Sequence, residues 1–385
     1  MDLPRTADVV IIGGGVMGTS TAYHLALKGC RNVLLLERES FFGIQATGKC
    51  AGGIRHQFGT EINVRLSLLS LPMLDRFKEE LNQPIDLRYC GYLFLLTNEK
   101  DVAAFRQNVE MQHRLGVMTR WLEVDEIARM VPLINLEDVL AGTFHERDGL
   151  ADPHSVVQGY VSGARRLGAR LLNDVEVTGI EVAGGRVRGV VTPRGTVATP
   201  VVVNAAGPWA AEVGRMAGLD IPILPVRRQI VVTGPIPEVP PDFPFVIDFA
   251  QSLYFHREGP GILTGMSNPN EPPGFDQSVD EKWELVHLEA AMQRMPILEK
   301  ATLASHWAGL YEVTPDAHPI LGRVPELEGF YIIGGFSGHG FMHGPISGLL
   351  LAEEILDGQA HTLDISSLSI TRFREGKLIR EYNVV

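Results

Sequence analysis

At 385 residues the chain is too long for one small domain, and about 150 residues per domain predict two or three structural units. Its 45% hydrophobic and 21% charged residues exclude a disordered, collagen-like or coiled-coil chain, so we expect a globular protein. With 46 acidic against 34 basic residues, the net charge of −12 argues against nucleic acid or an acidic membrane as a partner.

Cysteine content and the N-terminal region bear on the compartment. The three cysteines, Cys30, Cys50 and Cys90, cannot all pair within the chain, so a disulfide framework is not expected and a reducing compartment fits. No apolar run approaches the roughly 18 residues that a membrane helix needs, and no address signal is visible at the N-terminus. These observations predict a cytoplasmic protein.

The beginning of the chain predicts a βαβ unit. A strand is expected over residues 8–12, a glycine-rich turn follows over 13–18, and a helix runs from there to Lys28, with Gly29 as its stop. A second strand over 33–36 completes the unit.

The middle of the chain alternates helical and strand patterns. A helix is predicted from Glu61, with a kink at Pro72, and two more are predicted over 101–115 and 154–167. Hairpin turns rich in glycine are expected at two places, 184–185 and 193–195. The extended segments that predict strands are 91–96, 201–203, 229–233, 253–256 and 262–266.

The last third of the chain returns to the pattern of its beginning. A helix is predicted to start with a capping box formed by Ser278 and Glu281. A strand over 330–333 is then followed by a glycine-rich turn and by a helix that is expected to begin at Pro345.

The glycines of the first turn have the spacing of a dinucleotide-binding motif. Gly13 permits the tight turn, Gly15 lets the backbone approach a pyrophosphate, and Gly18 lets helix and strand pack closely. The following helix adds free N–H groups and the positive end of its dipole. Glu37, 19 residues after Gly18, is placed to accept hydrogen bonds from the adenosine ribose. Its charge disfavours NADP, although Arg38 leaves that reading open, and the motif does not separate NAD from FAD.

Further segments follow this unit in a recognisable order: Thr47-Gly48, Gly52-Gly53-Ile54-Arg55-His56, Asn204-Ala205-Ala206-Gly207-Pro208-Trp209 and Gly335-Phe336-Ser337-Gly338-His339-Gly340-Phe341. With them, the chain resembles the FAD-dependent amino-acid oxidase (DAO) superfamily, which includes sarcosine oxidase, glycine oxidase, dimethylglycine dehydrogenase and the β subunit of archaeal L-proline dehydrogenase. The resemblance covers nearly the whole chain. Its last segment is most similar to the sarcosine oxidase and proline dehydrogenase branches.

The resemblance implies two interleaved domains of an α/β fold. We predict a Rossmann-like FAD-binding domain formed by residues 1–85, 141–218 and 311–385. An α+β substrate domain, built on an antiparallel sheet, is predicted for residues 86–140 and 219–310. FAD is then expected to extend across the first domain, with its flavin ring at the border of the second.

The resemblance also implies which residues hold FAD. Gly338, Gly340 and Gly344 precede a helix whose N-terminal end can face the flavin pyrimidine edge, where its dipole stabilises the negative charge that builds on reduction. The expected FAD-binding residues are Gly13, Gly15, Met17, Gly18, Glu37, Arg38, Thr47, Gly48, Lys49, Gly52, Gly53, Val177, Ala206, Gly207, Trp209, Gly335, Ser337, Gly338, His339, Gly340, Phe341 and Met342.

An amino-acid substrate needs a fixed cation for its carboxylate, and the bidentate fork of an arginine suits that group. Arg55 matches the arginine that binds the carboxylate in sarcosine oxidase. Tyr254 and Tyr311 match positions that face the substrate there, although a core position explains either tyrosine equally well. His339 is expected to orient the flavin or the substrate amine, and His56 is a weaker candidate for the same role.

Several positions depart from the sarcosine oxidase pattern. The expected catalytic residues are Arg55, Tyr254, Tyr311, His339 and Met342. Met342 stands where monomeric sarcosine oxidase has a second carboxylate-binding lysine. Gly309 replaces the cysteine that tethers the flavin, so FAD is expected to bind non-covalently. Leu263 replaces the lysine that speeds the reaction with dioxygen. His154 lies close to the residue that anchors a second flavin in a related subunit, but a role at a helix start fits it better.

The chemistry that the resemblance implies is FAD-dependent oxidation of the C–N bond of a small secondary or N-methyl amino acid, giving an imine that water hydrolyses. Dioxygen is the expected acceptor, with hydrogen peroxide as product. The alternative is an amino-acid dehydrogenase β subunit of the L-proline or dimethylglycine type, which uses another acceptor and a partner subunit. Two further hypotheses are a flavoprotein that serves to assemble partner chains and an NAD-dependent dehydrogenase. No metal site is expected.

Overall fold

The computed structural model describes residues 2–384. Its strands, in chain order, are β1 Val9–Ile12, β2 Val33–Leu36, β3 Gly53–Ile54, β4 Tyr92–Leu96, β5 Arg120–Leu122, β6 Ala141–His145, β7 Gly149–Leu150, β8 Arg170–Leu172, β9 Gly179–Ala183, β10 Arg186–Thr192, β11 Gly195–Ala198, β12 Val202–Asn204, β13 Leu224–Thr233, β14 Phe245–Asp248, β15 Leu253–Glu258, β16 Gly261–Met266, β17 Leu303–Val313, β18 Ile320–Arg323 and β19 Phe330–Gly334.

The helices, in chain order, are α1 Val16–Leu27, α2 Glu61–Asp75, α3 Phe77–Leu81, α4 Glu99–Arg114, α5 Val124–Met130, α6 Pro153–Arg166, α7 Ala210–Met216, α8 Glu281–Arg294, α9 Gly340–Asp357 and α10 Thr371–Glu375. Short 3₁₀ helices occupy Gly207–Trp209, Pro296–Lys300 and Ser366–Leu368.

A six-stranded sheet with the order β18-β19-β12-β1-β2-β8 carries the βαβ unit. Its neighbours from β19 to β8 run parallel, and β18 is antiparallel to β19. Every residue of β1 and β2 is buried, as expected of strands whose two faces are both covered. Helix α1 packs against α6 and α9. Gly348 allows the close approach of α9, because a Cβ at this position would overlap Ser20 of α1.

An eight-stranded sheet with the order β17-β13-β16-β15-β14-β4-β6-β5 forms the second layer. Its pairs are antiparallel except β14 and β4, which run parallel. One face carries an apolar cluster that includes Tyr92, Phe245 and Tyr254. The predicted α/β class is confirmed, and the predicted antiparallel sheet contains this one parallel pair.

The division into two domains stays a prediction. The sheets show that strand β6 pairs with β4 and β5 of the eight-stranded sheet, although residues 141–145 were assigned to the other domain by the sequence. Strand β17 likewise belongs to the eight-stranded sheet up to Val313. These pairings concern the sheets, and the boundaries at 141 and 311 stay predictions.

The predicted capping box of α8 is wrong. Helix α8 begins at Glu281 and is capped by Asp280, whose Oδ1 accepts the N–H groups of Lys282 at 3.0 Å and Trp283 at 3.3 Å. Ser278 instead closes a turn with Asp276, to which it donates both its N–H and its hydroxyl. The sequence placed the cap two residues too early because both acidic and hydroxyl side chains serve as caps.

Two prolines lie inside helices where the sequence predicted a boundary or a kink. Helix α9 begins at Gly340, five residues before Pro345, so Gly344 is a helical residue and does not precede the helix. Helix α2 passes through Pro72 and ends at Asp75, and the chain turns at Arg76 before α3. The interruption thus lies after the proline, whereas the clash of a proline ring with the preceding turn predicts it before.

Two further observations concern the chain as a whole. No helix between residues 2 and 384 is both long and apolar enough to cross a membrane. Cys30, Cys50 and Cys90 are free thiols.

Candidate active site

One cavity lies between the two large sheets. Residues at the carboxyl ends of β1, β2 and β12 form one side of it, and side chains of β4, β14, β15 and β17 form the other. Ligands of open α/β sheets bind at this end of the parallel strands. The expected site residues that line the cavity are Gly13, Gly15, Met17, Glu37, Arg38, Thr47, Gly52, Gly53, Arg55, Val177, Ala206, Gly207, Trp209, Tyr254, Tyr311, Ser337, Gly338, His339, Gly340, Phe341 and Met342.

Four expected FAD-binding residues lie behind the cavity wall: Gly18, Gly48, Lys49 and Gly335. A Cβ on Gly18 would overlap the carbonyl oxygen of Gly13, so this glycine is needed for close packing of helix and strand. Gly48 and Gly335 have no room for a Cβ either. The Lys49 ammonium donates to Gln277 Oε1 at 2.6 Å and does not reach the cavity.

The glycine turn after β1 has the geometry of a phosphate cradle. Gly13 has a φ of +111°, and a Cβ there would overlap the carbonyl oxygen of Ala205 at the end of β12. Gly15 is the N-cap of α1, and a Cβ on it would approach Thr47 Oγ1 to 3.1 Å. Thr47 in turn accepts the N–H of Val16 at 3.2 Å. Gly15 and Met17 line the cavity beside this bond, so the start of α1 lies where a phosphate can approach its N–H groups.

Glu37 fixes this turn from the end of β2. Its Oε2 accepts the N–H of Gly14 at 2.6 Å, and its Oε1 accepts the N–H of Glu39 at 2.9 Å. Burial raises the pKa of Glu37 above its ordinary value, against the effect of these hydrogen bonds. Arg38 lies over the Trp209 ring, with its Cζ 3.9 Å from the ring centroid. The acid that the motif requires is thus held in place before any ribose is bound.

Two cavity residues that the sequence did not point to carry polar atoms without a partner. Among residues 2–384, Gln45 Oε1 and Glu312 Oε2 are buried and have no hydrogen-bond partner. Such atoms are costly unless a ligand or water satisfies them. A glycine cradle at a helix start, an acid for the ribose and acceptors for further hydroxyl groups are the features that FAD requires, so the residues present fit FAD.

The start of α9 forms the other end of the cavity. Gly338 has a φ of +101°, and a Cβ on it would overlap the ring of Tyr311. His339 is the N-cap of α9, which puts the positive end of the helix dipole at the cavity wall. Met342 is buried, and because its side chain is an uncharged thioether this position supplies no cation.

Arg55 brings a buried positive charge to this end of the cavity. The side chain is 5% exposed, and its guanidinium donates to the main-chain carbonyls of Gln57 and Asn383. Within residues 2–384 no carboxylate oxygen forms an ion pair with it. Burial lowers the pKa of Arg55 from its ordinary value. A buried guanidinium without a carboxylate partner is a ready site for an anionic ligand.

A buried network orients the segment that carries Arg55. Asp148 accepts the N–H and Nδ1 of His56, both at 2.8 Å, and it also contacts His145 Nδ1 at 3.0 Å and the Gln57 amide at 3.2 Å. Burial raises the pKa of Asp148, but the hydrogen bonds from the two histidines outweigh it and hold the pKa below the ordinary value. Through Asp148, His56 helps to hold the segment that carries Arg55.

His56, His145 and Asp148 also bear potential metal-ligating atoms within 4.8 Å of one another. Their contacts of 2.8 and 3.0 Å are hydrogen-bond distances, and the carboxylate has two further donors. These hydrogen bonds satisfy the cluster without an ion.

Three tyrosines line the same cavity as Arg55. Tyr254 and Tyr311 line the cavity as expected, and Tyr92, which the sequence did not single out, does so too. Tyr92 stacks on Phe245 with ring centroids 4.2 Å apart, and a Cβ on Gly53 would overlap its hydroxyl. Burial raises the pKa of each hydroxyl, so all three stay neutral.

The histidines divide into neutral buried groups and structural ones. Burial lowers the pKa of His339 to about 3, so its imidazole is neutral, and it contacts His343 through the two Nδ1 atoms at 3.3 Å. His318 Nε2 lies 2.9 Å from the Thr60 hydroxyl, and the exposed His306 pairs with Glu284. His154 lies in the first turn of α6, the helix-start position that the sequence favoured.

Arg228 is a half-buried cation that the sequence did not indicate. Its Cζ lies 5.2 Å from the Tyr311 ring centroid, and burial lowers its pKa. Its Nε has no hydrogen-bond partner in the described chain. No local signal could have marked it, because its neighbour Arg227 has the same residue type and forms ion pairs with Glu271 and Asp276.

Comparison with known proteins supports this reading of the cavity. The family model described as FAD dependent oxidoreductase (DAO) matches residues 8–354. The solved L-proline dehydrogenase from P. horikoshii aligns with a TM-score of 0.91 and 34% identity over 98% of this chain and 100% of that chain. Glycine oxidase from Geobacillus kaustophilus aligns with a TM-score of 0.85 and 26% identity over 96% of this chain and 99% of that chain.

Curated relatives are similar over nearly the whole chain. Mitochondrial dimethylglycine dehydrogenase of Mus musculus is 33% identical over 95% of this chain, and mitochondrial sarcosine dehydrogenase of Homo sapiens is 33% identical over 96%. The matched regions are 44% and 42% of those two proteins. The chain thus spans less than half the length of these relatives.

Proposed function

We propose that this chain, which belongs to the family of FAD-dependent oxidoreductases and whose cavity fits FAD, oxidises the C–N bond of a small secondary or N-methyl amino acid. The observation that carries this proposal is Arg55, a buried guanidinium without a carboxylate partner among residues 2–384, in the same cavity as the dinucleotide cradle. An anion of substrate size can pair with it there. The names of the relatives, dimethylglycine, sarcosine and L-proline dehydrogenase, give the same substrate class.

In this proposal the chain binds, orients and desolvates the substrate. Arg55 holds the substrate carboxylate, and the neutral rings of Tyr92, Tyr254 and Tyr311 exclude water around the carbon next to the amine. His339 is neutral at physiological pH, so it adds no second positive charge that would repel Arg55. Bound FAD supplies the two-electron oxidant.

Met342 bears on the size of the substrate. Its buried thioether gives no second cation near the start of α9, so the carboxylate depends on Arg55 for its charge partner at this end of the cavity. The side chain also leaves an apolar wall there. Both features suit a substrate with one carboxylate and an apolar N-substituent.

The electron acceptor has two candidates. Dioxygen is the acceptor that the sequence favoured. An acceptor other than dioxygen is supported by Leu263, which is 3% exposed and packs in an apolar cluster with Tyr92 and Tyr254, because a cation at that position is the feature associated with a fast reaction with dioxygen. The relatives named dehydrogenases support it as well. A partner subunit and the cytoplasmic location also stay predictions.

The test is reduction of the holoenzyme without dioxygen. Purified protein is mixed anaerobically with sarcosine, dimethylglycine, glycine, L-proline or D-alanine, and the visible flavin absorption is followed. We expect sarcosine, dimethylglycine or L-proline to bleach it. Bound FAD that no amino acid bleaches would contradict the proposal and favour an assembly role. Air is then admitted: rapid return of the colour supports dioxygen as acceptor, and slow return with fast dye reduction supports the dehydrogenase.

A further inference from the structure

The end of the described chain forms part of the site although it contains no helix or strand. Glu381 is 6% exposed and Asn383 is fully buried, which is unusual for a terminal segment. Val384 lines the cavity. Val384 therefore belongs to the wall of the candidate active site, and the buried Glu381 and Asn383 hold the segment that carries it.

Glu381 anchors this segment to the start of α2. Its Oε1 accepts the N–H of Gly59 at 2.7 Å, and its Oε2 accepts the Thr60 hydroxyl at 2.7 Å and the Asn63 amide at 2.9 Å. Oε1 also accepts the N–H of Asn383 at 3.0 Å. Four donors on one buried carboxylate specify its position closely.

Glu381 lies two residues before Asn383, whose carbonyl holds Arg55. The carbonyl of Asn383 accepts a hydrogen bond from the Arg55 guanidinium, and the N–H of the same residue is bound to Glu381. Asn108 steadies the Asn383 side chain, with Nδ2 3.3 Å from Oδ1. Burial raises the pKa of Glu381, but the hydrogen bonds that it accepts, first that from Asn383, hold it below its ordinary value. The carboxylate is therefore ionised.

We propose that Glu381 is a positioning residue for the substrate carboxylate, because it fixes the Asn383 carbonyl that orients the Arg55 guanidinium toward the cavity. The inference rests on the proposed function, in which Arg55 binds that carboxylate. The carbonyls of Gln57 and Asn383 each hold one terminal nitrogen of the guanidinium, so they restrict its rotation where it lines the cavity. A bidentate ion pair is sensitive to such small changes of angle.

A simple electrostatic role predicts the opposite result. Glu381 is an anion near Arg55, so its removal alone would strengthen the attraction between Arg55 and a second anion. Positioning predicts weaker binding when the anchor is lost. The two effects therefore differ in sign, and a binding measurement separates them.

The experiment measures the affinity of the holoenzyme for methoxyacetate, in which an ether oxygen replaces the amine of sarcosine, by its perturbation of the flavin spectrum. We expect Glu381→Ala to raise its Kd at least about five-fold, and Glu381→Gln, whose carbonyl still accepts N–H groups, to recover most of that loss. FAD affinity, measured separately, should change less than about two-fold. Glu375→Ala, in the exposed part of the same region, is the matched control and should leave both values unchanged.

Arg55→Ala separates failure of this inference from failure of the proposed function. If Arg55→Ala leaves the Kd for methoxyacetate unchanged, the proposed role of Arg55 fails. If Arg55→Ala weakens binding while Glu381→Ala leaves it unchanged or strengthens it, positioning by Glu381 is overturned. Equal loss of FAD and methoxyacetate binding in Glu381→Ala would overturn it too, because it would reveal a general structural role.

Deletion of residues 381–385 serves if Glu381→Ala does not accumulate as folded protein. The deletion removes the Asn383 carbonyl, and residues 381–384 contain no helix or strand. Because the deletion also removes Val384 from the cavity wall, it is repeated in the Arg55→Ala background. A rise in Kd that occurs only when Arg55 is present supports the inference, and an unchanged Kd with intact FAD binding, or an equal rise without Arg55, overturns it.

Discussion

The guanidinium carbon of Arg55 lies 3.9 Å from the centroid of the Phe58 ring. This contact shields one face of a buried cation that has no carboxylate partner between residues 2 and 384. The arrangement keeps the charge available while limiting its motion. Such a charge is costly to folding unless an anion binds, which agrees with the proposed role of Arg55.

Replacement of Arg55 tests its role in catalysis. Arg55→Ala should raise the apparent substrate constant at least about 10-fold, because a hydrogen bond to a charged group contributes about 1.5–3 kcal/mol. Arg55→Lys should recover part of the loss, since a lysine keeps the charge but not the fork. Steady-state kinetics with the best amino acid measures both. Arg65→Ala, an exposed arginine paired with Glu61, is the control, and equal kinetics of all variants would remove Arg55 from the site.

Gly338 sets the position of Tyr311 at the start of α9. Gly338→Ala should lower kcat/KM by about 10-fold or more, because the new Cβ overlaps the Tyr311 ring and displaces it. Gly168→Ala is a matched control: its φ of +96° is close to the +101° of Gly338, but nothing lies within 4 Å of the added Cβ. Turnover and FAD content are compared. Similar losses in both variants would show that backbone strain alone is responsible.

The raised pKa of Glu312 predicts that the free energy of unfolding falls as the pH rises. Burial raises its pKa to about 7 from the ordinary 4.5, so the folded state keeps a proton that the unfolded state has lost. Its stabilising contribution is present below about pH 4.5 and is lost as the pH rises through 7. Since each pKa unit corresponds to about 1.4 kcal/mol, Glu312→Gln should gain up to about 3 kcal/mol over the wild type between these limits. Urea unfolding of the FAD-free proteins measures it. Parallel pH profiles of wild type and variant would contradict the assignment.

The lowered pKa of His24 predicts the opposite: the free energy of unfolding falls as the pH falls. It is 4% exposed, neither ring nitrogen has a partner within the described residues, and burial lowers its pKa to about 4. The unfolded state then takes up a proton first, so stability is lost as pH falls from about 6.5 to 4. His24→Leu should be less sensitive to acid than the wild type over this range, with a difference of up to about 3 kcal/mol. His361→Leu, at an exposed position, should behave as the wild type does. The account of His24 fails if His24→Leu is equally acid-sensitive.

The cofactor end of the site could be predicted from the sequence because its requirements are local. The tight turn at Gly13, the close packing at Gly18 and the acid at Glu37 follow from the backbone of one βαβ unit. The fold class followed from the same unit and from the resemblance. Helix starts were harder to predict: several side chains near the start of α8 can act as its cap, and α9 begins at Gly340 without a side-chain cap, before Pro345.

The substrate end could be predicted only in part because its chemistry depends on burial and distant partners. Arg55 was expected, but its partner Asn383 lies 328 residues away in the chain. Asp148, which fixes His56, is 92 residues away from it. Glu312 is an ordinary acid in the sequence and acquires its raised pKa only from the fold. These relationships have no local pattern that a single sequence displays.

The most direct test of the central claim compares amino acids with the amines that lack only their carboxylate. The holoenzyme is reduced anaerobically with sarcosine and with dimethylamine, and with L-proline and pyrrolidine, and the flavin absorption is followed. If Arg55 binds an amino-acid carboxylate beside bound FAD, at least one amino acid should reduce the flavin about 100-fold faster, at equal low concentration, than its amine counterpart, since two charged hydrogen bonds are lost. Equal rates within both pairs would contradict the account.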